Sequence, residues 1–268
     1  MMNEEFMSFS MEEAFSCKGK VAMITGANHG LGEAYAVALA KAGADIFITH
    51  HSPDVSRVKE EIESLGRRVA FCQGDLTLKE HREACVEACL KEFGRIDILI
   101  NNAGRNHAAP LLEFEDDEWK KVVDLQMEAV HYLSRAVAKV MAKQGGGKII
   151  NIASALSFAA DPNACAYTAA KHAIIGITRS FAAELGKYHI TCNAIAPGFF
   201  MSNMTGEIRA ANPGLYERVG NRIALSDDGN WGDIKDLMGA VVFFSCPASD
   251  YITGDVMVVD GGFKAVMV

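Results

Sequence analysis

No apolar run in the sequence approaches the roughly 20 residues that a membrane-spanning helix needs. Basic residues are in deficit as well: 26 Lys and Arg against 34 Asp and Glu leave a formal charge of −8. A nucleic-acid footprint would be basic, so no nucleic-acid partner is expected. The opening stretch, MMNEEFMSFSMEEAFSCKGK, has no early basic cluster and is interrupted by four glutamates. It reads as neither a signal peptide nor a membrane anchor. Cysteines are few, seven in number, and show no paired short spacings. Cys85 and Cys89 lie one helical turn apart without a matching His or Cys pair, so they read as helix residues and no metal site is expected. Free thiols of this kind suit a reducing, cytoplasmic setting. No repeat and no low-complexity tract is present.

What the chain does contain is apolar content for one large core: 50% of its 268 residues are hydrophobic. The expected organisation is a flexible N-terminal arm over 1–17 and a single domain over 18–268. Short β-rich runs alternate with longer helical patterns. KVAMIT, DIFITH, RVAFCQ, IDILIN, KIINIAS, ITCNAIA and DVMVVDGG read as strands. Helices are expected over 33–43, 54–66, 78–94, 115–145, 167–189 and 233–246, the first stopping at Gly43 and the second capped by Asp54. Continuously apolar strands mean that both sheet faces are covered. With right-handed crossovers this predicts an α/β fold: a Rossmann-like, doubly wound, parallel seven-stranded sheet with helices on both faces. Ligands bind such sheets at the loops beyond the strand carboxyl ends.

The first of those loops reads TGANHGLGEAY, with Gly26, Gly30 and Gly32 between a strand and a helix. Glycines there let the backbone approach a pyrophosphate, and the helix starting near Leu31 aims free N–H groups at it. A second feature is AYTAAKHA, where Tyr167 and Lys171 are neighbours one turn apart on a helix. An ammonium beside a phenol favours the phenolate.

Together with GDLT (74–77), NNAG (101–104), NIAS (151–154) and PGFFMS (197–202), these stretches resemble the short-chain dehydrogenase/reductase family from Lys18 onward. The resemblance implies a secondary-alcohol/ketone oxidoreductase that uses NAD(H) or NADP(H). It implies Ser154, Tyr167 and Lys171 as the catalytic set: the phenol trades a proton with the substrate oxygen, the serine hydroxyl holds that oxygen, and the lysine tunes the phenol. The family's fourth member is an asparagine in D-x-N context; here VDLQM places Gln126 there, a departure that leaves its relay role open, along with a cofactor-binding sensor without turnover. Asn28, His29, Gly30, Leu31 and Gly32 would sit on the cofactor with Gly26. Asp75 and Leu76 would border the adenine. Asn101, Ala103 and Gly104 would line the cofactor and stabilise the central sheet, with Asn102 among the contacts. Pro197, Gly198, Phe200 and Ser202 would wrap the nicotinamide end, and Tyr167 and Lys171 would also touch the cofactor.

NAD-preferring members usually carry an acidic residue at the end of strand two; here His50 and His51 stand there, with His29 in the glycine loop, and the NAD/NADP preference stays open. The nearest branch is that of 2-keto-3-deoxygluconate and gluconate 5-dehydrogenases, which implies a sugar-acid substrate. That branch commonly follows NNAG with two arginines; here the segment is RNHAAP, offering Arg105 and His107 but no pair. Phe199 and its apolar neighbours Phe200, Met201 and Met204 would equally suit a hydroxysteroid or another hydrophobic alcohol. The apolar tail AVMV and the helices from 115 and 166 resemble surfaces that build homotetramers.

Overall fold

The structure, a computed structural model, describes residues 8–52, 54–201, 206, 213–226 and 229–266. Seven parallel strands form one sheet: β1 Val21–Thr25, β2 Asp45–His50, β3 Val69–Gln73, β4 Ile98–Asn101, β5 Gly147–Ile152, β6 Ile190–Pro197 and β7 Val256–Val259. Their order is β3-β2-β1-β4-β5-β6-β7, the doubly wound arrangement expected above. The chain runs outward from β1 to β3 and then returns to β4 on the other side of β1, in register Ala22↔Ile98. That reversal opens a crevice between the loops after β1 and β4.

β1 is buried along its whole length because its two faces are both covered. Ala22 and Ile24 enter a cluster with Leu39, Val241 and Phe244; Val21 and Met23 enter another with Val86, Leu133 and Val137. The first cluster belongs to α1 (Gly30–Lys41) and α7 (Met238–Ser245), the second to α3 (Lys79–Phe93) and α5 (Ala129–Gln144). Strand alternation thus feeds two layers of helices.

Three helices differ from the sequence reading, the last of them, expected over 233–246, being divided into a 3-10 segment (Ile234–Leu237) and the α-helix Met238–Ser245. α2 runs Ser56–Ser64, and Asp54 accepts from the Ser56 N–H at 3.0 Å, one step ahead of its expected capping place. The long helix over 115–145 is divided into α4 (Asp116–Val123), a π-helical segment (Asp124–Glu128) and α5. In the π segment the Ala129 N–H reaches back to the Asp124 carbonyl, which adds a residue to that turn. Its sequence, DLQME, holds no local signal for this. The π segment and α4 pack on α6 (Cys165–Leu185), the helix that carries Tyr167 and Lys171.

Of the expected arm, residues 1–7 lie outside the described residues. Ser10 caps a helical turn, Met11–Ala14, and Ala14 and Cys17 are buried. Among the described residues no helix is long and apolar enough to cross a membrane.

Candidate active site

A cleft of about 840 Å³ opens at the carboxyl ends of the strands. From the β1–α1 loop, Gly26, Asn28, His29, Gly30, Leu31 and Gly32 line it. His50, His51 and Ser52 come from the end of β2, and Gly74, Asp75, Leu76 and Thr77 from the end of β3. Asn102, Ala103, Gly104 and Arg105 follow β4; Pro197, Gly198 and Phe200 follow β6. Ser202 lies outside the described residues. His107 and Phe199 are not among the lining residues. The His107 ring meets Phe114 edge-on with centroids 5.4 Å apart, and Phe199 packs on Trp231 and Phe263, each at 5.1 Å.

The loops after β1 and β4 are tied together. Asn102 donates through Nδ2 to the carbonyls of Thr25 (2.9 Å) and Gly26 (3.0 Å), and the N–H groups of Asn102 and Ala103 both donate to Thr25 Oγ1 at 2.9 Å. Asn101 points the other way, into the sheet. Its Nδ2 donates to Ser134 Oγ and to Asn151 Oδ1, both at 2.8 Å, and Asn151 donates on to Thr178 Oγ1 at 2.9 Å. All four groups are buried, so each depends on the others for its hydrogen bonds.

Ser154, Tyr167 and Lys171 line the same cleft. Ser154 has extended backbone, and its Oγ accepts from the Leu156 N–H at 3.1 Å. Ser157 completes the turn: its Oγ accepts from the Ser154 N–H (3.2 Å) and donates to the Lys171 carbonyl (2.7 Å). Lys171 is buried; its Nζ donates to the Ile152 carbonyl at 2.7 Å and stands 5.5 Å from the centre of the Tyr167 ring. Burial pulls the Lys171 ammonium down to about 8. Burial raises the Tyr167 phenol above its ordinary value, against a hydrogen bond with Ser154 that lowers it.

A family model described as short chain dehydrogenase matches residues 20–213. The chain belongs to the short-chain dehydrogenase family. It is an NAD(P)-dependent oxidoreductase. The chain is 43% identical to an uncharacterized oxidoreductase, YgcW, of Escherichia coli K12, over 98% of this chain and 99% of that one. It is 42% identical to the 2-dehydro-3-deoxy-D-gluconate 5-dehydrogenase of the same organism, over 94% and 98%. Among solved structures, a gluconate 5-dehydrogenase from Burkholderia cenocepacia, in complex with NADP and tartrate, superposes with a TM-score of 0.88 at 31% identity, covering 96% of this chain and 100% of that one.

A nicotinamide dinucleotide fits the short-chain dehydrogenase cleft of this chain. His29, the residue before α1, makes no side-chain cap bond, so the first-turn N–H groups of a 12-residue helix stay available to a pyrophosphate. A Cβ at Gly26 would come within 3.0 Å of Ala103 Cα, which keeps this floor free of side chains.

Four features of the site were missed by the sequence reading. Ser157 joins the serine turn to the lysine helix, as above. Arg82, on α3, donates through Nη1 to the carbonyls of Leu76 (2.6 Å) and Thr77 (2.8 Å), bracing the loop that lines the cleft after β3. Asp75 is held by Thr77: burial disfavours its charge, but the Thr77 N–H and hydroxyl bonds bring the carboxyl below its usual range. Lys121, from α4, reaches the cleft. Ser154 and Ser157 carried a weak signal, a serine three residues from another; the Thr77 and Arg82 contacts are local, but the sequence did not say which backbone or carboxyl groups they would meet.

Gln126 is buried in the π segment and lines the cleft. Its Nε2 donates to the Arg105 carbonyl at 2.7 Å, and its Oε1 would lie 2.7 Å from a Cβ at Gly104. The extra methylene of glutamine is therefore used to reach the loop after β4.

Proposed function

We propose that this short-chain dehydrogenase interconverts a secondary alcohol and a ketone on a sugar acid of the 2-keto-3-deoxygluconate or gluconate type. The observation that carries the chemistry is the convergence of Ser154, Tyr167 and Lys171 on the cleft that also holds the glycine loop. The bound nicotinamide supplies or accepts the hydride. Ser154 Oγ hydrogen-bonds the substrate oxygen and sets its direction. Tyr167 gives that oxygen a proton in reduction and removes one in oxidation. Lys171 keeps positive charge near the phenol, and the Ile152 carbonyl fixes where that charge lies. Gln126 positions the loop after β4 through its bond to the Arg105 carbonyl. The substrate class is supported by the 42% identity to a 2-dehydro-3-deoxy-D-gluconate 5-dehydrogenase.

The adenosine end favours NADP(H). Asn28 Nδ2 donates to Ser52 Oγ at 2.6 Å, which sets a hydroxyl and two imidazoles at the end of β2, where a carboxylate would repel a 2′-phosphate. Glu33, nearby on α1, is neutralised by a two-pronged bond from Arg57. A panel of sugar acids, steroids and simple ketones, read at the reduced-nicotinamide absorbance with each cofactor, tests the whole reading. Turnover of a sugar acid with NADP(H) is expected; turnover of steroids alone would overturn it. We place the enzyme in the cytoplasm as a homotetramer, and a monomer by light scattering would overturn that assembly.

Lys171 and Tyr167 also predict a pH profile. Burial lowers the Lys171 ammonium to about 8 and raises the Tyr167 phenol, so the lysine loses its proton first. Ketone reduction uses the protonated phenol with the ammonium beside it. Its kcat/KM therefore falls as pH rises through about 8, where the ammonium is lost. Lys171→Met lowers the rate below that value and flattens the profile across it. Pre-steady-state rates of ketone reduction across this range check it; a flat wild-type profile would contradict the assignment.

A further inference from the structure

A sugar-acid substrate brings a carboxylate, and the sequence places one arginine after NNAG where two would be expected. Folding supplies the second cation from a different element. Lys121 on α4 and Arg105 after β4 both line the cleft. Both bind one carboxylate: Arg105 Nη2 meets Glu118 Oε2 at 2.6 Å and Lys121 Nζ meets Glu118 Oε1 at 2.6 Å. Glu118 is the covered member, its side chain 15% exposed against 38% for Arg105 and 56% for Lys121. The cations therefore keep accessible faces while the carboxylate between them is withdrawn.

The charges do not cancel. Two permanent cations share one carboxylate, leaving one positive charge in excess. His107 Nδ1 stands 3.5 Å from the same carboxylate. Lys120 and Asp124 form their own pair at 2.9 Å and contribute no net charge. The Lys121 hydrogen bond comes first among the influences that hold the Glu118 carboxyl below its usual range, ahead of the nearby Arg105 charge, so the hub stays ionised. Arg105 is fixed twice, through its guanidinium by Glu118 and through its main-chain carbonyl by Gln126 at 2.7 Å. Each cation also has N–H donors beyond those spent on Glu118. A guanidinium and an ammonium held in place before the ligand arrives make a receptor for a planar anion at little ordering cost.

We propose that Arg105 and Lys121 together bind the substrate's carboxylate, with Glu118 and Gln126 as the residues that position them. This rests on the sugar-acid reading above. The same cations would also suit a phosphate of the cofactor, and the experiment separates the two sources.

D-gluconate is compared with its uncharged carboxamide in the wild type, Lys121→Gln, Arg105→Gln, Glu118→Gln and the conservative Lys121→Arg. Steady-state rates are measured with titrations of NADP(H), NAD(H) and tartrate, and thermal melting verifies the fold. Lys121→Gln is expected to lower the acid-to-amide ratio of kcat/KM about tenfold, through KM, because one charge-assisted hydrogen bond is lost. Arg105→Gln lowers it further, Glu118→Gln lowers it by releasing both cations, and Lys121→Arg restores it. Tartrate affinity falls in parallel. An acid-to-amide ratio unchanged in the two glutamine variants of Arg105 and Lys121 overturns the proposal. Weaker NADP(H) binding with the ratio unchanged assigns the cations to a phosphate and also overturns it. A wild type that binds tartrate in a Lys121-dependent way yet turns over no acid overturns only the sugar-acid oxidoreductase reading. A wild type that binds no carboxylate overturns the receptor itself.

Discussion

Tyr167→Phe will lower kcat/KM by about 10²- to 10⁴-fold while leaving cofactor affinity within a fewfold range of wild type. The substitution deletes one oxygen and keeps the ring, so the packing of α6 against α4 and the π segment survives. Ser154 remains in place, because its Oγ is held by the Leu156 N–H and its backbone by Ser157. Lys171 remains in place through the Ile152 carbonyl. What is lost is the group that exchanges a proton with the substrate oxygen. Among the described residues no other titratable side chain is held between the serine and lysine hydrogen bonds, so water has to replace the phenol, at higher cost. Single-turnover hydride transfer, with cofactor titration as the binding control, measures the loss. A rate within tenfold of wild type would remove Tyr167 from the proton path.

Gly32→Ala will weaken cofactor binding by about ten- to hundredfold and lower the melting temperature. A Cβ at this position would fall 2.5 Å from both Asn102 Nδ2 and the Gly26 carbonyl oxygen, and 2.8 Å from Ala27 Cα. Two of those neighbours are backbone and cannot swing aside. Relief requires α1 to move away from the loop after β1 as well as from Asn102, which strains the Asn102 bond to Gly26 and misaims the helix N-terminus. Gly30→Ala offers a contrast. A Cβ there meets no atom within 4 Å, but the residue sits at φ +63°. Its cost is the left-handed backbone, about 1–2 kcal/mol, and does not include a collision with the β4 loop. Isothermal titration with NADP(H) for both variants separates the two causes. Equal losses would show that the close approach of α1 to the β4 loop is unimportant.

These two predictions draw on different levels of information. Tyr167 and Lys171 could be paired from the sequence because helical spacing puts them on one face whatever the surroundings. The Gly32 collision could not, since its partners, Asn102 and Gly26, are brought together by the β1–β4 pairing. The same distinction explains the π segment. DLQME is built from ordinary helix formers, and the extra residue in its turn becomes visible only where the helix packs on α6 and Gln126 stretches to the Arg105 carbonyl. It also explains His107 and Phe199, whose place next to motif residues suggested the substrate pocket. His107 turns to Phe114 and Glu118, and Phe199 to an aromatic cluster with Trp231 and Phe263.

The sequence by itself determined the strand–helix alternation, the glycine-floored first loop and the pairing of Tyr167 with Lys171; Ser154 joined them through the family resemblance. The first three are written in local terms: apolar periodicity, backbone freedom, or spacing along one helix. Only the tertiary structure decided that Arg105 joins Lys121 on Glu118 and that Ser157 ties the serine turn to the lysine helix. The Arg105–Glu118 and Ser157–Lys171 contacts join different elements, and a charged side chain's partner there depends on which loops the sheet order sets side by side.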